Sequence, residues 1–136
     1  MLIEFSVTNF RSFRERQTLS MVASRLTEHV ETHTFESGLP GFDRLLATSV
    51  LYGPNASGKT NLMRALQFMQ QMITLSATLN FLLKDARAPF KFDAASRASP
   101  SVFEITFAHG GVRYEYGFAV NEERVLREWL IEYINP

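Results

Sequence analysis

The sequence predicts an α/β fold in which a mixed sheet, including an antiparallel meander, packs around one long helix. A short apolar run at residues 45–51 is typical of a strand that is buried on both faces. Apolar residues then recur at helical spacing over residues 59–79. The last third of the chain alternates apolar and polar residues, which predicts antiparallel strands. The 136 residues are enough for one domain.

The first part of the chain begins with a predicted pair of strands. Residues 3–8 alternate as in a half-buried strand, and residues 9–13 interrupt the alternation. Apolar residues between positions 16 and 23 indicate a second strand that pairs back on the first. Residues 24–43 show little periodicity and contain glycine and proline, which predicts a long surface loop. Residues 84–100 are predicted to be a connector.

The last third is predicted to form a hairpin and one further strand. The turn at His109, Gly110 and Gly111 joins two alternating runs, so we expect His109 to be a turn residue. Residues 125–134 carry apolar side chains in both alternating sets, which predicts a strand buried on both faces. We expect Trp129 in that strand to lie in the core or in an interface.

Two groups of side chains allow a functional interpretation besides a structural one. Tyr114, Tyr116 and Phe118 share one side of a predicted strand and could stack bases, although core packing is the interpretation that we favour. His29 and His33 are four residues apart and would offer metal ligands on a helix. Their segment has no sustained helical period, so we interpret them as loop histidines.

A phosphate-binding pattern lies between the apolar run and the long predicted helix. Residues 53–60 read Gly-Pro-Asn-Ala-Ser-Gly-Lys-Thr, a complete G-x-x-x-x-G-K-[ST] sequence. Glycines let successive backbone N–H groups turn toward a phosphate, and the following helix directs its positive end to the same place. The pattern therefore predicts a P-loop NTPase that binds a nucleoside triphosphate.

Each residue of this loop receives a predicted role. Lys59 is expected to contact the outer phosphates, and Thr60 is the candidate ligand for Mg²⁺. Pro54 is expected to fix the turn. The remaining predicted nucleotide-binding residues supply backbone donors and loop shape, and they are Gly53, Asn55, Ala56, Ser57, Gly58 and Asn61.

Hydrolysis normally requires an acidic residue after a second buried strand to hold magnesium. The three aspartates, Asp43, Asp85 and Asp93, follow no long apolar β run. We therefore predict no catalytic residue in this chain.

Three stretches together resemble a known family. They are residues 2–13 (LIEFSVTNFRSF), residues 17–24 (QTLSMVAS) and residues 51–62 (LYGPNASGKTNL). They are similar to the N-terminal lobe of ABC-type ATPases of the SMC, RecF and OLD-like group, and most similar to bacterial AAA-family ATPases linked to abortive infection and phage defence. The P-loop alone is generic, and the strand that ends in Asn9 to Phe13 narrows the choice.

The resemblance implies an ABC-type head whose first lobe combines antiparallel strands with the P-loop helix. It implies ATP and Mg²⁺ as cofactors, and it places Arg11 near the nucleotide, although Arg11, Arg14 and Arg16 could equally form a solvated basic surface. Residues 1–136 would be a single domain, the Walker A lobe, with the Walker B and signature sequences of a second lobe absent. We therefore expect a fragment, a split subunit or a truncated form.

The implied partners follow from the same resemblance. They are a C-terminal lobe or second subunit, a second copy that forms a homodimer of heads, a nuclease or toxin effector, and DNA. Formal charge is zero, so no global field attracts nucleic acid or a membrane surface. The chain contains no cysteine, and its N-terminus has neither signal-peptide nor membrane-span character, which predicts a cytoplasmic protein.

Three classes of function remain open at this point. The first is an ATPase whose hydrolysis requires a second lobe and a second head, in a DNA-related or anti-phage defence system. The second is a non-catalytic, nucleotide-dependent switch or assembly module that recruits a partner. The third is a small-molecule or nucleoside kinase, which would need an acceptor site and lid arginines for which the sequence leaves no room.

Overall fold

The structure is a computed structural model, and it describes residues 1–26, 28–75 and 88–134. Seven strands and three helices are found in these ranges. In chain order they are β1 (Leu2–Thr8), β2 (Gln17–Ser20), α1 (Val30–His33), β3 (Thr34–Leu39), β4 (Phe42–Leu46), α2 (Lys59–Leu75), α3 (Ala94–Ala98), β5 (Ser101–His109), β6 (Val112–Val120) and β7 (Val125–Tyr133).

The main sheet has five strands in the order β2-β1-β5-β6-β7, and β3 and β4 form a separate two-stranded sheet. Every strand pair in the described ranges is antiparallel. The prediction of a mixed sheet was therefore wrong. The predicted N-terminal strand pair and the hairpin β5–β6 with its Gly110-Gly111 turn are confirmed.

Helix α2 covers one side of the main sheet, and a cluster of phenylalanines fills the space between them. Phe68 of α2 packs within 4.9 Å of Phe103 and 6.3 Å of Phe118, measured between ring centroids. Phe10, which lies two residues after the end of β1, also packs against Phe68 and Phe103. All four rings are buried, so this cluster fixes α2, and with it the loop before α2, on the sheet.

The hairpin β3–β4 covers the end of the opposite side of the sheet. Leu39 and Leu45 of the hairpin are buried with Ile3 and Ala108 of the main sheet. This arrangement corrects the prediction of a long surface loop at residues 24–43. The elements in this segment are too short for their helical or strand periods to be recognised in the sequence, because α1 has four residues and β3 has six.

The segment before the phosphate-binding loop also differs from the prediction. Leu45 and Leu46 end the hairpin strand β4, and residues 47–53 form no strand. The exposed fractions of Val50, Leu51 and Tyr52 are 76%, 44% and 92%. A buried strand needs neighbouring strands on both sides, and the described ranges provide none beside this segment.

Strand β7 was predicted to be buried on both faces, and this prediction was wrong. It forms the edge of the sheet with β6 as its neighbour, and α2 packs against β1, β5 and β6 instead. Leu130 is 64% exposed as a result. Trp129 is half-buried, because its indole lies over Gly117 on β6.

Helix α2 begins at Lys59, as predicted, and is described to Leu75. Residues 76–79 of the predicted helix lie outside the described residues. The predicted connector contains the short helix α3 in its described part, where Asp93 caps the helix by accepting from the Ala95 and Ser96 N–H groups. Among the described residues, no helix is both long and apolar enough to cross a membrane.

Candidate functional site

The loop at residues 53–58 connects the segment after β4 to the start of α2 through residues with positive φ. Ala56 and Gly58 have φ angles of 65° and 97°, which turn the chain sharply before α2. A Cβ at Gly58 would lie 2.9 Å from Cε1 of Phe13. Glycine is therefore required at position 58 both by its conformation and by the approach of the Phe13 ring.

The backbone donors of this loop are available to a ligand. The N–H groups of Asn61 and Leu62 donate to the Gly58 carbonyl, so α2 has begun by that point. Among residues 53–60, six backbone N–H groups have no acceptor in the described part of the chain, and they belong to Gly53, Asn55, Ala56, Gly58, Lys59 and Thr60. Unpaired donors at the start of a helix form an anion-binding site together with the helix dipole.

The side chain of Lys59 is folded back on the loop. Its Nζ donates to the carbonyls of Gly53 at 2.7 Å and Pro54 at 2.8 Å, and lies 3.3 Å from Oγ of Ser57. The ammonium group thus lies on the Gly53–Pro54 side of the loop. A ligand with phosphate oxygens would compete with these two carbonyls for the same ammonium.

Two cavities adjoin the loop on different sides. The first, of about 460 Å³, is lined by Ser12 and by the consecutive residues 55–61. The second has a volume of about 350 Å³. Its lining consists of residues 51–54, residues 57–59, Phe13, Gln17, Thr18 and Leu62. All nine predicted loop residues from Gly53 to Asn61 therefore line at least one of the two cavities.

The turn after β1 forms part of the site, which sequence periodicity alone did not reveal. Phe10 and Phe13 exchange backbone hydrogen bonds of 2.8 and 2.9 Å, so Arg11 and Ser12 form the tip of a two-residue turn. Ser12 Oγ accepts from the side-chain amide of Asn61 at 2.8 Å. This bond, together with the contact of Phe13 at Gly58, places the turn directly beside the phosphate-binding loop.

The side chain of Asn9 holds this turn in position through hydrogen bonds. Its buried side-chain amide donates to the carbonyls of Ser96 (2.7 Å), Ser99 (2.9 Å) and Pro100 (3.1 Å), and its Oδ1 accepts from the Phe90 N–H. Asn9 also has a positive φ of 53°, a conformation that asparagine tolerates better than most residues. The sequence signal for this role was an asparagine at the point where the strand pattern stops.

Arg11 lines neither cavity. Its guanidinium carbon lies 5.4 Å from the centroid of the Phe10 ring. Burial lowers the pKa of Arg11, and the nearby Arg64 guanidinium lowers this pKa further. Its neighbours Arg14 and Arg16 are 59% and 57% exposed, and they pair with Asp93 and Glu104.

The other candidate residues are better explained by structural roles than by ligand binding. The rings of His29 and His33 lie 5.1 Å apart, and the described residues contain no group of three side chains suited to a metal ion. His109 is exposed at the end of β5, next to the turn. Tyr116 packs against the core and donates to Glu128, while Tyr114 stacks on Phe107. Core packing is therefore the better interpretation of these aromatic side chains.

Comparison with known proteins agrees with this geometry. A search of curated proteins gave no match. The family model described as "AAA domain, putative AbiEii toxin, Type IV TA system" matches residues 49–136, a range that includes the whole phosphate-binding loop. Because this match covers more than half of the chain, the protein belongs to that AAA domain family, whose domain implies a nucleotide-binding function of the ATPase type and which is linked to abortive infection.

Proposed function

We propose that this chain binds Mg-ATP at residues 53–60 and serves as the Walker A lobe of an ATP-hydrolysing head of the ABC type. The observation that supports this proposal is the set of unpaired backbone N–H groups in residues 53–60, beside the ammonium group of Lys59. Backbone donors of this kind hold phosphate oxygens, and Lys59 would leave the Gly53 and Pro54 carbonyls to contact the outer phosphates.

The residues present also suit the metal ion. Thr60 is exposed in the first turn of α2 and lines the larger cavity, so its hydroxyl is available to a magnesium ion. Mg²⁺ would neutralise charge on the phosphate oxygens. Neither cavity has an acidic residue in its lining, as far as the chain is described. A carboxylate for hydrolysis would therefore come from a second lobe or a second head.

This lack of an acidic lining residue favours a second candidate function. In that alternative, the chain binds nucleotide as a switch or assembly module, does not hydrolyse it, and recruits a partner. The partner in either case would be a second lobe or subunit, a second head, or a nuclease or toxin effector of a defence system. We propose DNA as a further partner and the cytoplasm as the location.

Nucleotide binding is tested by titrating ATP and Mg²⁺ into the folded chain and into the variant Lys59→Ala. Loss of a charge-assisted hydrogen bond should weaken binding about tenfold or more. Lys91→Ala is the matched control, because Lys91 is exposed and lines neither cavity. If wild-type protein binds no ATP, or if Lys59→Ala binds as well as Lys91→Ala, the proposal is wrong.

An ATPase assay then separates the two candidates. Turnover that disappears in Lys59→Ala supports the hydrolytic function. Binding without turnover, in the presence of the candidate second lobe, supports the switch.

A further inference from the structure

Strand β7 presents a long and regular edge. Residues 127–133 pair with residues 113–119 of β6 without interruption, and the register shift of this pair lies at the start of β7, opposite Val120. Within the described ranges, no strand pairs with the other side of β7. The edge of a sheet carries backbone N–H and C=O groups that point away from the sheet and can pair with another strand.

This strand lacks several features that usually protect a sheet edge. Edge strands are normally protected by proline, by lysine, by bulges or by their short length. The sequence of β7 is VLREWLIEY, which has nine residues and contains neither proline nor lysine. Its apolar side chains are also uncovered, since Leu126, Leu130 and Ile131 are 45%, 64% and 42% exposed. The edge is therefore suited to binding a further strand.

The side of β7 that faces α2 carries two carboxylates around one leucine. Glu128, Leu130 and Glu132 alternate along the strand, and Leu130 lies opposite Tyr116, which packs on the core beneath α2. Tyr116 donates to Glu128 at 2.7 Å, and Tyr114 donates to Glu132 at 3.2 Å. Neither carboxylate forms an ion pair with another described residue. The tyrosines thus hold two negative charges at the edge that no basic side chain of this part of the chain balances.

A second copy of the chain is a poor partner for this edge. Two copies related by a two-fold axis and paired antiparallel along residues 127–133 would place Glu128 and Glu132 of both copies on one side of the joint sheet. The carboxylates would then lie opposite or diagonal to one another. Like charges at opposite positions destabilise strand pairing, whereas opposite charges stabilise it. The charge of the edge therefore favours a basic partner.

We propose that β7 is a docking site for an extended, basic segment of a partner protein, which adds to the five-stranded sheet as a further strand. Backbone hydrogen bonds would hold the segment, as they do in strand addition generally. On the side that faces α2, the segment carries basic residues opposite Glu128 and Glu132 and an apolar residue opposite Leu130. The inference goes beyond the proposed function, because no residue of β7 lines either cavity at the phosphate-binding loop.

The test uses a fluorescent synthetic peptide that contains Lys-Thr-Val-Thr-Lys between threonine-rich ends. The peptide is titrated with the whole chain, and binding is followed by fluorescence anisotropy. We expect saturable binding that weakens as salt is added, because salt screens the pairs of opposite charge. A peptide with glutamate in place of both lysines should bind at least about tenfold more weakly.

The double variant Glu128→Gln and Glu132→Gln removes the two charges but keeps a side-chain oxygen that can accept from each tyrosine. It should bind the lysine peptide about tenfold more weakly than the wild type does. The matched control is Glu123→Gln, an exposed carboxylate in the connection before β7, and its affinity should not change. Thermal unfolding of the double variant should match that of the wild type, so that a loss of affinity is not a loss of fold.

Hydrogen exchange determines where the peptide binds, and we expect slower exchange of the β7 amides in the complex. Binding without this protection would contradict the proposal, as would equal affinity of the double variant and Glu123→Gln. If the lysine peptide does not bind, the carboxylates only protect the edge, and the proposal is wrong. Sedimentation of the chain alone provides a further check, because a dimer with protected β7 amides would identify a second copy as the occupant and would also overturn the proposal.

Discussion

The sheet-facing side of α2 and its N-terminus differ in how completely their atoms are in contact with other parts of the chain. Toward the sheet, Phe68 lies among buried rings that leave little space. At its N-terminus, α2 begins with unpaired N–H groups, a lysine bonded to loop carbonyls, and an exposed Tyr52 upstream. The first side fixes the position of the helix. In the proposed function, the donors at the N-terminus bind a ligand, and the packed side of the helix keeps those donors in place.

The largest expected effect on stability comes from a substitution on the sheet-facing side of α2. Phe68→Ala should lower the free energy of unfolding by about 3–5 kcal/mol, because it leaves a cavity among the three remaining rings of the cluster. Urea unfolding measures this change. Phe92→Ala is the matched control, since Phe92 is 93% exposed, and its effect should stay below about 0.5 kcal/mol. Equal effects of the two substitutions would contradict the described core.

Asn9→Ala should have the next largest effect. It removes the buried amide that donates to the carbonyls of Ser96, Ser99 and Pro100 and accepts from the Phe90 N–H, and we expect a loss of about 2–3 kcal/mol. Asn121→Ala, in an exposed turn, is the control and should lose less. Because Asn9 also fixes the turn that contains Ser12, ATP affinity should fall in Asn9→Ala protein that is still folded. Unchanged ATP affinity of folded Asn9→Ala protein would show that the turn does not contribute to nucleotide binding.

Gly58→Ala should affect binding more than stability. The added Cβ meets the Phe13 ring, so the loop must shift and its N–H groups move from their positions. We expect a loss of about 1–2 kcal/mol in unfolding free energy and of most of the thermal stabilisation by ATP. Gly110→Ala has a positive φ of 59° but no atom within 4 Å of the new Cβ, so it measures backbone strain alone. ATP stabilisation should survive in this control.

The smallest effect concerns the cap of α3. The hydrogen bond from Ser96 is the main cause that lowers the pKa of Asp93, with further contributions from the Ala95 and Ser96 N–H groups and from Arg14. The carboxylate therefore stabilises the fold above its unfolded pKa of about 3.9, and this contribution is lost as pH falls through the lower, folded pKa.

Asp93→Asn tests this assignment. The wild type should be slightly more stable than Asp93→Asn at about pH 6, and the difference should shrink as pH is lowered toward about 2. Thermal unfolding followed by circular dichroism measures both proteins. A difference that is independent of pH would contradict the assignment of the charge to the cap.

Sequence patterns predicted the parts of the fold that depend on local periodicity. The hairpin β5–β6 has regular alternation and a two-glycine turn, and α2 follows directly from its apolar spacing, so both were found. Residues 47–51, part of the predicted strand at 45–51, and β7 were predicted to be buried, because an apolar residue does not reveal whether a neighbouring strand exists to cover it. The β3–β4 hairpin was missed because its strands are short and irregular.

The same distinction applies to the site. The loop residues from Gly53 to Asn61 were predicted from spacing, since backbone donors require a fixed local order of glycines and a helix start. The contributions of Asn9 and Phe13 depend on contacts between residues that are distant in sequence. A single sequence contains no pattern for such contacts, and the structure was needed to find them.

The bonds of Lys59 to the Gly53 and Pro54 carbonyls have a consequence for selectivity. An incoming anion must replace two hydrogen bonds before it gains the ammonium group, so a ligand with few negative oxygens gains little from the exchange. If the proposed function is right, we expect this threshold to favour triphosphates over monophosphates, whichever base they carry.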